Sequence, residues 1–271
     1  MRPNLSIHQT GLQQLAWDCL SLSVVIITFN EEANLARTLA SVAWADEIIV
    51  LDSGSTDRTR EVAESFHAKL FAEPWKGFAA QKNSALTKAS VDWILSLDAD
   101  EEVEPALAEE IRSVLAANPS VAGFRIPRKN FFLGRWIKHG GFYPDPKLRL
   151  FRRGAGEFDD RLVHEDVKLK GDTLSLQNHL LHHAYPTLES YLEHMNRYSS
   201  LGSEMAISKQ PRGFSLTDIV VRPRLTFFYN YFLRLGFLDG REGLLLHLYH
   251  AQYVSWKYAK AWARSRKKAA Q

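Results

Sequence analysis

The sequence predicts an α/β chain, with a mostly parallel sheet flanked by helices and a C-terminal helical extension. Three observations carry this. Residues 22–29 (LSVVIITF) and 91–98 (VDWILSLD) are apolar on both faces, as strands covered on both sides are. Strand-like runs alternate with helical patterns at the spacing of βαβ units. Beyond residue 225 apolar and aromatic residues alternate with Arg and Lys, interrupted at Asp239-Gly240.

The elements follow in order. The strand at 22–29 leads through Asn30-Glu31-Glu32 into a helix over 33–42. A second strand at 47–51 ends in Asp52-Ser53-Gly54-Ser55-Thr56-Asp57, and a helix follows over 59–66. Residues 69–71 read as a short third strand and 77–88 as a helix. The strand ending in Asp98 comes next, and Pro105 opens a helix continued by 106–117. Residues 122–126, 148–151 and 162–167 read as short strands and loops around a segment rich in Gly, Pro and aromatics. Residues 188–208 form a further helix.

The length of 271 residues allows one large or two small domains with ample core. Residues 1–20 read as a loosely attached leader, and no secretory signal core is visible in them. A single cysteine, Cys19, excludes an internal disulfide framework and a cysteine-based zinc site, and fits a reducing cytoplasm. No run of about 18 apolar residues suggests a spanning helix. Charge is uneven: residues 222–271 hold ten Lys/Arg against Asp239 and Glu242, so they carry +8 of a net +3 and leave −5 for the rest. Basic residues interleaved with Trp, Tyr and Phe suit an interfacial helix on an anionic membrane. A helical hairpin packed on the main domain or on a second subunit is the alternative. The acidic front half disfavours nucleic acid.

Chemistry concentrates where strands end. Asp98-Ala99-Asp100 closes an apolar run, and residues i and i+2 of an extended chain share a side. Ligands of open α/β sheets bind outside that edge. Paired carboxylates there are costly unless a cation or a phosphate-bound metal shares them; plain surface charge is the other reading. Asn30-Glu31 and Asp52 end neighbouring strands and should converge on the same cleft, and Glu165-Asp166 follow a further one. No Gly-x-Gly-x-x-Gly or P-loop pattern occurs, which disfavours dinucleotide dehydrogenases and P-loop enzymes. The acidic loop after the first strand is likewise unlike a nucleotidyltransferase.

VVIITFNEEANL, IIVLDSGSTDRT, QKNSAL and LSLDADE, in that order, resemble a family 2 inverting glycosyltransferase of the GT-A fold, a Rossmann-like, mostly parallel sheet flanked by helices. HGGFYPDPKLRLFRR, LVHEDV, HHAYPTLESYLEHMNRYS and GFLDGREGL resemble its lipopolysaccharide core β-glucosyltransferase branch (WaaE-like). The resemblance implies a catalytic domain over 21–220, with a nucleotide half to about 115, an acceptor half beyond it, and a basic aromatic tail over 221–271. It places Thr28, Asn30, Glu31 and Asp52 around the nucleoside, Lys82 near the diphosphate, Asp98 at the ribose and Asp100 on Mg²⁺ or Mn²⁺. His183 matches a position that can hold metal or diphosphate, with His182 competing. Glu165, or alternatively Asp166, is the base for the acceptor hydroxyl. Asp52 could instead be a turn residue, and Asp57 is the better helix cap.

Gly140-Gly141 permit close backbone approach in the GGFYPD loop. Trp136, Phe142 and Tyr143 either stack on sugar or form a small aromatic core. Arg149, Arg152 and Arg153 either meet acceptor phosphates or lie on a solvated strand face, the more usual outcome. The implied reaction moves a hexose, glucose foremost, from a UDP-sugar donor to a lipid-linked saccharide acceptor such as the lipopolysaccharide inner core. The enzyme would be cytoplasmic and peripheral on the inner face of the cytoplasmic membrane, held by its tail. The alternatives are another donor, a protein acceptor, or a non-catalytic nucleotide-sugar-binding scaffold.

Overall fold

The computed structural model describes residues 21–159, 167–209 and 215–269. The N-terminal half runs β1 (Leu22–Thr28), α1 (Glu32–Ser41), β2 (Glu47–Asp52), α2 (Thr59–Ser65), β3 (Lys69–Ala72), α3 (Phe78–Leu86) and β4 (Trp93–Asp98). After it come β5 (Glu101–Val103), α4 (Pro105–Ala116), β6 (Gly123–Ile126), β7 (Arg128–Phe132), β8 (Arg135–Trp136) and β9 (Lys147–Arg152). Then follow β10 (Gly156–Phe158), β11 (Val167–Leu169), β12 (Thr173–Ser175), β13 (Leu180–Tyr185), α5 (Leu188–Lys209), α6 (Arg222–Phe228) and α7 (Gly240–Ala269).

Seven strands form the main sheet in the order β12-β6-β9-β4-β1-β2-β3. The run β4-β1-β2-β3 is parallel, with Thr28 opposite Asp52 and Ile27 opposite Asp98, so the ends of β1, β2 and β4, two of them aspartates, share one edge. β1 explains its own position. Val24 and Ile26 pack with Leu35, Leu39 and Ile111 on one face, while Val25 packs with Ile49, Ala79 and Ile94 on the other. Both faces are covered by helices, which is why the strand reads as continuously apolar.

Two features were not legible. β9 lies antiparallel between β4 and β6, inside the sheet. A second sheet, β5-β13-β7-β8, stands beyond the Asp98 edge. β4 also ends at Asp98, and Ala99-Asp100 form a turn, so the two aspartates are not on one extended strand as expected. The Thr38 hydroxyl donates to the Ala99 carbonyl at 2.7 Å and pins that turn to α1.

The C-terminal segment folds back. α7 packs along α5, and Leu246 joins Phe132, Ile137, Tyr191 and Met195 in a third apolar cluster. Wide π-helical turns at Thr217–Val221 and Tyr229–Leu233 flank α6. Among the described residues no helix is long and apolar enough to cross a membrane.

Candidate active site

At the β1–β2 edge, Thr28 and Asp52 are buried, and the threonine hydroxyl donates to Asp52 Oδ1 at 3.3 Å. Asp52 also accepts from the Gly54 and Ser55 amides at 3.0 Å and from the Ser55 hydroxyl at 2.5 Å. Its carboxylate therefore shapes the DSGS turn, where Gly54 takes φ +94°. Asn30 ties that turn to the β1 loop: its amide donates to Ser55 Oγ at 2.9 Å and its Oδ1 accepts from Thr56 N at 2.8 Å. Asp57 accepts from Thr59 N at 3.0 Å and Glu32 N at 3.2 Å, so it serves the starts of both α1 and α2. Glu31 accepts from Asn34 Nδ2 at 3.0 Å. Burial raises its pKa, opposed by Asn34 and reinforced by the negative charges of Asp100, Asp57 and Asp98.

The β4 end carries a charge chain. Asp98 meets Lys82 Nζ at 2.7 Å and the Arg149 guanidinium, while its own amide donates to Glu101 Oε2 at 3.0 Å. Glu101, fully buried, accepts from Arg149 at 2.7 Å and from Arg128 at 2.9 Å, and Arg128 continues to Asp145 at 2.7 Å. Burial would raise the Asp98 pKa, but Arg149 and Lys82 hold it well below the usual carboxylate range. Arg149, expected at a solvated face or on acceptor phosphate, is instead a buried partner of the Asp98 carboxylate. Arg152 and Arg153 donate to main-chain carbonyls of Pro119 (2.6 Å) and Val91 (2.9 Å).

Asp100 faces His182, with Oδ2 3.4 Å from Nε2. Burial opposes its ionisation, yet His182 leaves its pKa below the ordinary value. The Asn130 amide donates to the Phe142 carbonyl at 3.0 Å, which turns its Oδ1 toward His182 Nδ1 at 2.7 Å. Nδ1 therefore faces the Asn130 acceptor, and Nε2 is the ring nitrogen turned toward the Asp100 carboxylate. The main-chain N–H of His183 donates to the Asp100 carbonyl at 3.0 Å, but its ring lies elsewhere. Alternation along β13 sends its ring to the other side, 3.0 Å from Glu102 and stacked on Phe131, while the His182 ring faces Asp100.

Among the described residues no cluster of three or more His, Cys, Asp or Glu is arranged to hold a metal. Asp100 and His182 supply two donors, which fits a divalent ion that completes its shell on substrate phosphates. Glu165 and Asp166 lie outside the described residues, between β10 and β11.

His182 also lines a cavity of about 320 Å³ between the second sheet and the α5 and α7 helices. Tyr185, Tyr191, His194 and Tyr198 form much of its wall. The Tyr191 hydroxyl is buried without a hydrogen-bond partner in the described structure. Burial lowers the His194 pKa to about 4, so its ring is neutral near pH 7. The GGFYPD loop closes one side. A Cβ at Gly140 would lie 2.0 Å from His247, and one at Gly141 2.0 Å from Arg234, so the close approach is by the C-terminal segment. Phe142 lines the cavity, whereas Trp136 and Tyr143 pack edge to face on each other.

Residues 23–168 match Glycosyl transferase family 2. The lipopolysaccharide core biosynthesis glycosyltransferase LpsC of Rhizobium meliloti is 34% identical over 230 residues, covering 82% of each chain. The chain belongs to glycosyl transferase family 2. An uncharacterized glycosyltransferase of Rickettsia bellii is 32% identical over 236 residues, covering 83% of this chain and 80% of its own. The mannosyltransferase PcManGT of Pyrobaculum calidifontis shares the fold with a TM-score of 0.56 at 15% identity, over 89% of this chain and 87% of its own. For this family 2 glycosyltransferase, sequence reading overlooked Glu101 and Arg128 and left Arg149 and His182 unresolved. The available signal was Arg149 amid Leu148, Leu150 and Phe151: a cation in a two-sided apolar strand must find a buried acid.

Proposed function

We propose that this family 2 glycosyltransferase moves a hexose, glucose foremost, from a UDP-sugar to a lipid-linked saccharide of the lipopolysaccharide core, with inversion and with Mg²⁺ or Mn²⁺. The observation that carries the site assignment is the Asp100–His182 pair, set beside the strand ends of β1, β2 and β4, with His182 also lining the cavity. The name of the Rhizobium relative supports the acceptor class. Thr28, Asn30, Glu31 and Asp52 border the nucleoside. Lys82 and Asp98 stand between nucleoside and diphosphate. Asp100 and His182 hold the cation, which when bound offsets the charge that builds on the departing nucleotide.

The saccharide enters the cavity beside His182, so acceptor and donor meet at Asp100. Glu165, with Asp166 as the alternative, takes the proton of the attacking hydroxyl from the sugar face opposite the leaving group. The reaction runs at the cytoplasmic face of the inner membrane, where the acceptor resides. Calorimetric titration with UDP, with and without Mn²⁺, tests this. Metal-dependent binding that Asp100→Ala abolishes is expected. Absence of UDP binding under both conditions overturns the donor-site assignment and favours a scaffold.

A further inference from the structure

The surface between Leu216 and Leu248 departs from that of the rest of the molecule. Twelve of the fifteen large hydrophobic side chains that are exposed among the described residues lie in it. Leu225, Phe228, Leu233 and Leu238 each expose half or more of their area. They belong to one patch rather than scattered positions: Phe227 stacks on Tyr231 at 5.1 Å, Phe228 meets Phe232 at 5.3 Å, and Tyr231 reaches Phe237 at 6.3 Å. A patch this apolar marks an interaction surface.

Its charge is one-sided. Arg224, Arg234 and Arg241 are exposed within it. The acids of the same stretch are turned away. Asp239 is buried and accepts from the Lys138 and His139 amides, Glu242 faces Arg135 at 3.6 Å, and Asp218 pairs with Arg222 at 3.1 Å. Of the basic tail expected over 221–271 as the docking element, Lys260 and Arg264 are drawn onto α5. Lys260 donates to Asn196, Ser199 and Ser200, and Arg264 to Ser200, Ser203 and Glu204. The inner side of α7 meanwhile walls the cavity through Leu246, His250 and Tyr253.

We propose that the 216–248 surface lies in the plane of an anionic lipid bilayer, with its Phe and Leu side chains at the acyl boundary and Arg224 and Arg241 on headgroup phosphates. Exposed apolar side chains interleaved with exposed arginines suit such a surface. Reach does the rest: the helix that docks is the one that lines the cavity, so an acceptor anchored in the membrane arrives beside Asp100. This inference names the site of membrane contact and rests on the glycosyltransferase reading for its purpose, not for its test.

Co-sedimentation of the full chain with phosphatidylethanolamine–phosphatidylglycerol vesicles, against phosphatidylcholine vesicles, decides it. Binding to the anionic vesicles that falls with added salt is expected. Leu225→Ser with Leu233→Ser should lower partitioning about tenfold or more per side chain. Arg224→Gln with Arg241→Gln should lower it about fivefold per charge. Neither pair removes a core contact, and thermal unfolding verifies that the fold is kept. Equal binding of wild type to both vesicle types, no binding, or unchanged binding by both variants overturns the proposal. So does a dimer in sedimentation velocity that Leu225→Ser with Leu233→Ser dissociates while vesicles are ignored. UDP titration of the wild type separates failure here from failure of the donor site.

Discussion

Replacing Arg149 by Met tests whether the buried charge chain sets the shape of the donor edge. The Arg149 side chain is 7% exposed, that of Glu101 0%, and that of Asp98 30%. The substitution leaves Glu101 with Arg128 and Asp98 with Lys82, each short of a cation inside the protein. Breaking a buried pair by removing one partner costs about 3–5 kcal/mol. For a domain of this size each kcal/mol is worth about 2–4 °C, so thermal unfolding at pH 7 should fall by roughly 6–20 °C. The pH dependence has a definite sign. Asp98 is held below its unfolded pKa, so its contribution is present above about pH 4 and is lost as pH falls through the folded value. The gap between wild type and Arg149→Met should therefore be full at neutral pH and close in acid. Arg149→Met with Glu101→Met removes the stranded acid as well and should recover part of the loss. A fall in Tm of under about 2 °C at neutral pH, or a gap that does not close in acid, refutes the assignment.

His182→Ala should weaken Mn²⁺-dependent UDP binding about tenfold or more, while His183→Ala leaves it near wild type; calorimetry reads both. Glu165→Gln should lower hexose transfer by about 10²–10⁴-fold with UDP affinity kept, and Asp166→Asn should lower it less; a larger loss in Asp166→Asn reverses the two roles. Asp239 accepts from Lys138 N at 3.2 Å, His139 N at 2.8 Å and the His139 ring at 2.9 Å. Asp239→Asn should cost about 1–3 kcal/mol in urea unfolding and loosen the GGFYPD loop from the helix before α7.

Local pattern sufficed for the parallel half. β1, β2 and β4 begin and end within two residues of the positions read from hydrophobic runs, because strands buried on both faces have few other ways to hide their side chains. The convergence of Asn30-Glu31, Asp52 and Asp98 on one edge followed, since parallel strands put their carboxyl ends together. Helix starts were equally local: Pro105 opens α4, and Asp57 accepts the first amide of α2.

Sequence alone could not rank His182 against His183, nor separate a solvated Arg149 from a buried one. Adjacent residues on a strand face opposite sides, and which side meets Asp100 depends on the register of β13 against β5, fixed by residues some eighty positions apart. The placement of Arg149 depends on β9 entering the main sheet antiparallel beside β4, a pairing that no local period encodes. Composition likewise registered the surplus of positive charge after residue 221 but not its distribution. Tertiary packing drew Lys260 and Arg264 onto α5 and left the apolar surface before them uncovered. Hydrophobic periodicity is a property of short windows and determined the sheet; partner choice among charges is a property of distant chain segments, and only folding brought those segments together.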